Sequence, residues 1–372
     1  MPTRTAKTRR SRRDAAGRAG RAPVLILGIE SSCDETAAAV VEDGRHVRSS
    51  VVASQHELHR TYRGVVPEIA SRAHLERILP AVHAAIEEAD CELRDLEAIA
   101  AGVRPGLIGS LLVGTSAAKG LAWALERPFL GIDHVEAHLF AGMLESEPPE
   151  WPALGLVVSG GHTSLFSWSG DGTLMRLGRT IDDAAGEAFD KAASMIGLEH
   201  PGGPALERLA AAGDPSSCSL PRPMLGATSL DFSFSGLKTA FRNAVLAAAG
   251  QTDPSAEVRL AANGLASATK ADLAASFQAA VVETIAIKCR RAIEQASAPF
   301  RSIVLGGGVV ANAALRAALA AVAQDRQLAL RLPPSAWCLD NAAMIAAAAH
   351  PRLLRGERDP LDLPAEPVSR WS

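Results

Sequence analysis

The sequence predicts an α/β protein in which one strand-and-helix plan occurs twice. Two observations carry that prediction. Hydrophobic residues make up 48% of the 372 residues but aromatics only 4%, so the core is Ala, Val, Leu and Ile, the composition of helices packed on largely parallel strands. And "VLILGIESSCDETAAAVVEDG" (24–44) runs apolar, small and polar, then apolar, a design that "ALGLVVSGGHTSLFSWSGDG" (153–172) repeats. Recurrence of one supersecondary plan marks an internal duplication. The length fits two domains or one large duplicated one.

Taken in order, residues 24–54 read as a strand meander through "AVVEDGRHVRSSVVAS". "VPEIASRAHLERILPAVHAAIEEA" has helical periodicity, with a bend expected at Pro80. "LEAIAAGV" is a strand, "GSLLVGTSAAKGLAWALE" a helix, "RPFLGID" a strand, and a helix carrying "HVEAH" follows. In the second half, "DDAAGEAFDKAASMIGL", "GPALERLAAAG", "GLKTAFRNAVLAAA" and "ADLAASFQAAVVETIAIKCRRAIEQA" are helices. "RSIVLGGG" is a strand meeting a glycine turn, and "AALRAALAAVAQD" and "NAAMIAAAA" are helices. Residues 250–268 read as a loop and the last 15 or so, rich in Pro, as irregular. The expected division is a basic, disordered extension 1–23, an N-terminal lobe 24–150, a C-terminal lobe 151–351 with a helical insertion, and an irregular tail 352–372.

Charge and cysteines narrow the function classes. Eight of the 38 Lys and Arg but one of the 41 acids fall in residues 1–23, leaving 30 bases against 40 acids beyond, a net of −10. The extension reads as a solvated tail, as an arm attracted to nucleic-acid phosphate, or as an Arg-rich transit peptide. No stretch of 18 uninterrupted apolar residues predicts a membrane span. The five cysteines are scattered and form no CxxC pair, which excludes a disulfide framework and a zinc ribbon and fits a reducing cytoplasm.

Several stretches bear chemistry. "ESSCDET" (Glu30–Thr36) and "SGGHTS" (Ser159–Ser164) are turns of small residues whose backbone N–H groups can converge on an anion. Either alone is an ordinary turn; the pair indicates a nucleotide held between two lobes. "LGGGVVAN" (Leu305–Asn312) brings a strand into three glycines and a helix starting near Asn312, without the spacing of a dinucleotide fingerprint or a P-loop. HVEAH places His134 and His138 on one helical face, about 6 Å apart along the axis. They are a packed pair or two ligands of one metal, and a third ligand decides between these. "CLDNAAM" offers Asp340, as ligand or as helix N-cap. Val135 stands where HExxH metalloproteases carry their general base. In "DDAAGEAFDKAA", Asp183, Glu187 and Asp190 share a face, solvated or ligand-facing. Glu207, one turn into the helix after Gly202 and Gly203, suits ribose hydroxyls. "DFSFSGLKTA" is a packed cap or a binding loop.

"GIESSCDET", "GVVPEIASRAH", "HVEAH", "VSGGHTSL", "IDDAAGEAFDKAA", "PGGPALERLA", "DFSFSGLKTAF", "GGGVVAN" and "CLDNAAMIA" occur here in the order that they take in the TsaD/Kae1/Qri7 family, the tRNA N6-adenosine threonylcarbamoyltransferases. The sequence resembles that family, in its bacterial wording, from about Val24 to Pro351. The resemblance implies an actin/Hsp70/sugar-kinase (ASKHA) fold with two duplicated ribonuclease-H-like lobes around a cleft. It implies one divalent metal on His134, His138 and Asp340, Fe(II) or alternatively zinc. It implies an adenylate pocket lined by Val157, Val158, Ser159, Gly160, Gly161, Asp190, Gly203, Glu207 and Asn312, with threonylcarbamoyl-AMP as donor and tRNA as acceptor. A TsaB-like paralogue and a TsaE-like ATPase are the implied partners. Asp34 and Glu35 lie near the chemistry by analogy, but no general base is assigned. Arg104 stands where the family has Gly before Pro105-Gly106, and Leu339 where it has Thr beside the metal Asp. The competing readings are a metallopeptidase, a kinase-like or chaperone-like enzyme of the same fold, and a non-catalytic paralogue.

Overall fold

The computed structural model describes residues 22–371, apart from 61, 63, 227 and 254; the expected disordered extension therefore lies, but for its last two residues, outside the described residues. The first half starts with an antiparallel meander, β1 (Leu25–Glu30), β2 (Glu35–Glu42) and β3 (His46–Ser54). After α1 (His56–Arg60) and α2 (Pro67–Glu88), β4 (Ala98–Arg104) joins β1 in parallel; after α3 (Ile108–Ala124), β5 (Phe129–Asp133) joins β4 in parallel, and α4 (His134–Ala141) follows directly. The sheet order is β3-β2-β1-β4-β5. The second half repeats the plan. β6 (Ala153–Val158), β7 (Thr163–Trp168) and β8 (Leu174–Arg179) form a meander. Five helices intervene: α5 (Ala185–Met195), α6 (Gly202–Ala210), α7 (Ser235–Ala248), α8 (Val258–Asn263) and α9 (Ser267–Gln295). Then β9 (Ser302–Gly306) pairs with β6 in parallel, α10 (Ala313–Asp325) crosses over, β10 (Ala329–Arg331) pairs with β9, and α11 (Ala342–Leu354) closes the plan. The order β8-β7-β6-β9-β10 matches the first sheet strand for strand, the duplicated ribonuclease-H-like arrangement of the ASKHA fold.

The closing helices change partners. α11, from the second half, packs on β1 and β2 of the first sheet, while α4, from the first half, packs on β6 and β9 of the second, and the two helices meet each other. Ala342–Ala349 are almost all Ala and buried, so α11 approaches the strands closely: a Cβ on Gly28 of β1 would lie 2.2 Å from the Ala342 carbonyl. One core thus forms between the sheets around α4 and α11, a second between the first sheet and α2 and α3, and a third around α5–α7, α9 and α10. The carboxyl ends of β1, β5, β6 and β9 carry the loops of interest.

One local expectation changes and two are sharpened. The helix expected through Pro80 is there: α2 runs 22 residues, with Pro80 inside it and Pro67 in the first turn. The loop at 250–268 contains α8, short but anchored by buried Ala262. And of the two readings of "DFSFSGL", the packed cap holds: Phe232 and Phe234 are fully buried and stacked, and Asp182 accepts hydrogen bonds from Phe234 N, Ser235 N and the hydroxyls of Ser233 and Ser235 at the start of α7.

Candidate functional site

Asp133 ends β5 and caps α4, its Oδ1 accepting from Val135 N at 3.0 Å, so the helix begins with His134 aimed across the carboxyl ends of the strands. One turn on, His138 lies on the same face, the two rings edge to face at 4.6 Å. Asp340 arrives from the turn before α11. The cap of that helix is Asn341, whose Oδ1 accepts from Met344 N, so the Asp340 carboxylate is free of capping duty. Asp340 Oδ1 lies 3.4 Å from His134 Nε2 and 3.5 Å from His138 Nε2, and the three ligand atoms fall within 4.8 Å of one another. His138 is fully buried and neither ring nitrogen has a hydrogen-bond partner. A buried imidazole left unpaired costs about 1–3 kcal/mol, so the site fits a metal that uses this nitrogen. The donor set of two nitrogens and one oxygen suits iron or zinc.

The surroundings orient those donors. Glu30, at the end of β1 and 1% exposed, places Oε2 3.0 Å from His134 Nδ1, with Ser32 Oγ 3.3 Å from the same nitrogen. A carboxylate on the far nitrogen fixes the tautomer that leaves Nε2 for a metal. Burial works to lower His134, but the carboxylates of Asp340 and Glu30 outweigh it and raise the imidazole well above its ordinary value. Burial and then the neighbouring His134 push His138 down to about 3. His162, in the SGGHTS turn, is pushed down to about 4 by burial and then by His134. Burial opposes ionisation of Asp340, yet the histidines hold it well below the usual carboxylate range. Beside this cluster sits the ESSCDET turn. Burial first, then Asp34 and Asp340, push Glu35 up to about 8. Buried His74 of α2 holds that turn: burial keeps it neutral, so Nδ1 accepts from Thr36 Oγ1 at 2.8 Å and Nε2–H donates to the Cys33 carbonyl at 3.0 Å.

The residues expected at the adenylate form a second, contiguous group. Val157 and Val158 are buried at the end of β6; Gly160 and Gly161 are exposed in the turn beyond, with open space where a Cβ would stand. The Ser159 and Gly160 carbonyls accept from Gly186 N and Glu187 N, stitching the turn to the start of α5. Asp190 does not share a solvated face with Asp183 and Glu187, which are paired with Lys191. Its Oδ1 accepts from Gly202 N and Gly203 N at 2.8 and 3.1 Å and fixes the start of α6. Glu207 reaches back from α6 to Ala313 N at 2.7 Å, beside Asn312, which caps α10 and donates to Gln278. Between the groups lies the glycine turn. A Cβ on Gly306 would sit 2.0 Å from the His138 carbonyl, and one on Gly307, with φ +97°, 2.4 Å from the Val158 carbonyl. Only glycines let α4, β6 and β9 meet there.

The two departures also find their places. Arg104 Nε pairs with Glu366 of the C-terminal segment at 3.0 Å, and Leu339 is exposed beside Asp340. That segment then crosses to α4: Ser369 Oγ and Arg370 N both donate to Asp133 Oδ2, and Arg370 pairs with Glu136. Glu30, Ser32, His74, His162 and Ser369 were not singled out from the sequence. Glu30, Ser32, His74 and His162 do stand inside the motifs, a signal that was there to read.

Residues 46–347 match the family described as TsaD: tRNA N6-adenosine threonylcarbamoyltransferase. The chain belongs to the TsaD family. Similar relatives named tRNA N6-adenosine threonylcarbamoyltransferase include one from Symbiobacterium thermophilum, 50% identical over 343 residues, covering 92% of this chain and 96% of the relative. Another, from Anaeromyxobacter dehalogenans, is 47% identical over 346 residues, covering 93% and 99%. Among solved structures, full-length HypF in its phosphate- and nucleotide-bound form resembles 90% of this chain and 47% of its own at a TM-score of 0.53 and 13% identity, a likeness of fold. As a TsaD-family member this chain is an acyltransferase that modifies tRNA, and the family implies a divalent metal. Among the described residues no helix is long and apolar enough to cross a membrane.

Proposed function

We propose that this chain moves the threonylcarbamoyl group of threonylcarbamoyl-AMP to N6 of the adenosine 3′ of the anticodon, in tRNAs reading codons that begin with A. The observation that carries the reading is the His134–His138–Asp340 cluster, with an orphaned buried imidazole, pressed through Gly306 against the turns that lead to Ser159 and Asn312. In the reaction the exocyclic amine bonds to the carbamoyl carbon, the bond from that carbon to the phosphate oxygen breaks, AMP leaves, and N6 gives up a proton. Such a transfer needs the mixed anhydride held in one orientation and charge met where it develops.

In this reading His134, His138 and Asp340 hold Fe(II), with zinc as the alternative, and the metal supplies Lewis acidity toward donor oxygens. Glu30 fixes His134. The N–H groups of the exposed Gly160–Gly161 turn face phosphate. Glu207 and Asn312 lie where ribose hydroxyls and adenine would be recognised, and Asp190 keeps the α6 turn in shape for them. The Asp34–Glu35 pair flanks the metal side and could take the amine proton.

A metallopeptidase is not favoured: Val135 replaces the general base and the neighbouring Glu136 is engaged by Arg370. We place the lobes at 24–150 and 151–351 and the protein in the cytoplasm. A TsaB-like paralogue and a TsaE-like ATPase complete the system. In support of a partner, α2 and α3 leave Leu75, Leu79, Ile108 and Leu112 exposed together on packed helices. The test incubates the chain with threonine, bicarbonate, ATP, tRNA and companion enzymes and reads the modified nucleoside by mass spectrometry. His134→Ala should abolish the product; product at the wild-type rate would overturn the assignment.

A further inference from the structure

A cavity of about 580 Å³ opens beside, but apart from, the adenylate wall. Its size is that of a small-molecule site. One side is Asp34, on the turn that adjoins the metal cluster; the other is Asp190 and Gly202, at the edge of the adenylate group. Glu207, Asn312, Gly160 and Gly161 do not line it. In its lining His56 of α1, from the first half, and His200, from the second, stack with ring centroids 5.5 Å apart and planes 21° from parallel. Arg259 of α8 also lines it.

Building on the function proposed above, we propose that this cavity receives the acceptor nucleotide, a purine turned out of its RNA loop, on a platform made by His56 and His200. RNA loops are recognised by stacking unpaired bases on planar side chains, with cations on the flanking phosphates. The imidazole pair provides the planar surface and Arg259 the cation. Asp34 adds a choice of base. A carboxylate accepts a hydrogen bond from the exocyclic amine of adenine and repels the O6 of guanine. The position is right for transfer: the amine meets Asp34 on the metal side while Asp190 and Gly202 border the donor, so acceptor and donor enter the cleft from different walls.

The experiment uses the full chain, metal-loaded and with its companion proteins, and an anticodon stem-loop RNA as acceptor. A second RNA has an abasic site at the target. His200→Ala, an exposed position whose loss the fold tolerates, and His56→Ala should each raise the KM for the stem-loop on the order of tenfold or more. Donor affinity and metal content should stay at wild-type values. His200→Phe, which keeps a flat ring, should recover most of the loss, and the abasic RNA should bind wild type and variants alike. An unchanged KM, equal weakening on the abasic RNA, or no recovery with Phe would each overturn the proposal. Wild-type protein that makes no modified nucleoside would instead overturn the function on which it rests.

Discussion

Glu30 shows how a single side chain orients the His134–His138–Asp340 cluster without belonging to it. It is buried, it ends β1, and its carboxylate meets His134 Nδ1. Glu30→Gln keeps the shape but removes the charge that fixes the ring, and partners of this kind typically govern metal affinity by 10–100-fold. Competition against a chelator should show a loss in that range, with Glu30→Asp intermediate. Glu35 gives a pH dependence. Its carboxyl is raised to about 8 in the metal-free chain, against 4.5 for an ordinary Glu. A raised carboxyl favours the folded state while it is protonated, so this contribution is complete below about pH 4.5 and is lost as pH rises through 8. The metal-free chain should therefore melt at lower temperature at pH 8.5 than at pH 6, and Glu35→Gln should flatten that decline. A metal that neutralises Asp340 removes part of the cause, lowers the Glu35 carboxyl towards its ordinary value, and should make the decline smaller and complete at lower pH in the wild type.

The glycine turn after β9 does for helices and strands what Glu30 does for one ring. Since a Cβ on Gly306 meets the His138 backbone, Gly306→Ala must push α4 off β9. Overpacking of this kind costs about 1–3 kcal/mol. Chemical denaturation should show that loss, together with weaker metal binding, because the displaced backbone carries His138. Much of this level was legible in the sequence. The recurring apolar–polar–apolar stretch predicts two meanders, and the structure has two sheets of identical order. HVEAH puts two imidazoles on one face because helical periodicity is local. What was illegible depends on distant pairing. Glu30 and His134 are 104 residues apart and meet only because β1, β4 and β5 lie in parallel register. Ser369 reaches Asp133 across 236 residues along a segment with no periodicity to betray it. Phe232 and Phe234 looked like loop residues because hydroxyls surround them; their burial follows from Asp182, which caps α7 from 51 to 53 residues away.

Seen as a complete surface, the chain carries an excess of acid over base beyond residue 23 and an apolar face on α2 and α3. An acidic body gains little from counterion release on an RNA, so the phosphate contacts fall to a partner or to a local basic patch. The apolar face is where such a partner would sit. Leu75 is 66% and Leu79 63% exposed, one turn apart on α2, and Ile108 and Leu112 are exposed on the neighbouring α3. Packed helices that present adjoining aliphatic side chains to water mark an association surface. Leu75→Asp with Leu79→Asp separates this role from folding. Both side chains already stand mostly in water, so the substitutions should change stability by no more than about 0.5 kcal/mol each. Metal content should be untouched, since the cluster lies beyond the first sheet on α4 and α11. Association with the proposed TsaB-like partner, read by analytical ultracentrifugation, should be lost, because two carboxylates buried in an apolar contact are left without partners. Formation of the modified nucleoside should fall with it. If the double variant still binds the partner as tightly as the wild type, the contact lies elsewhere on the chain.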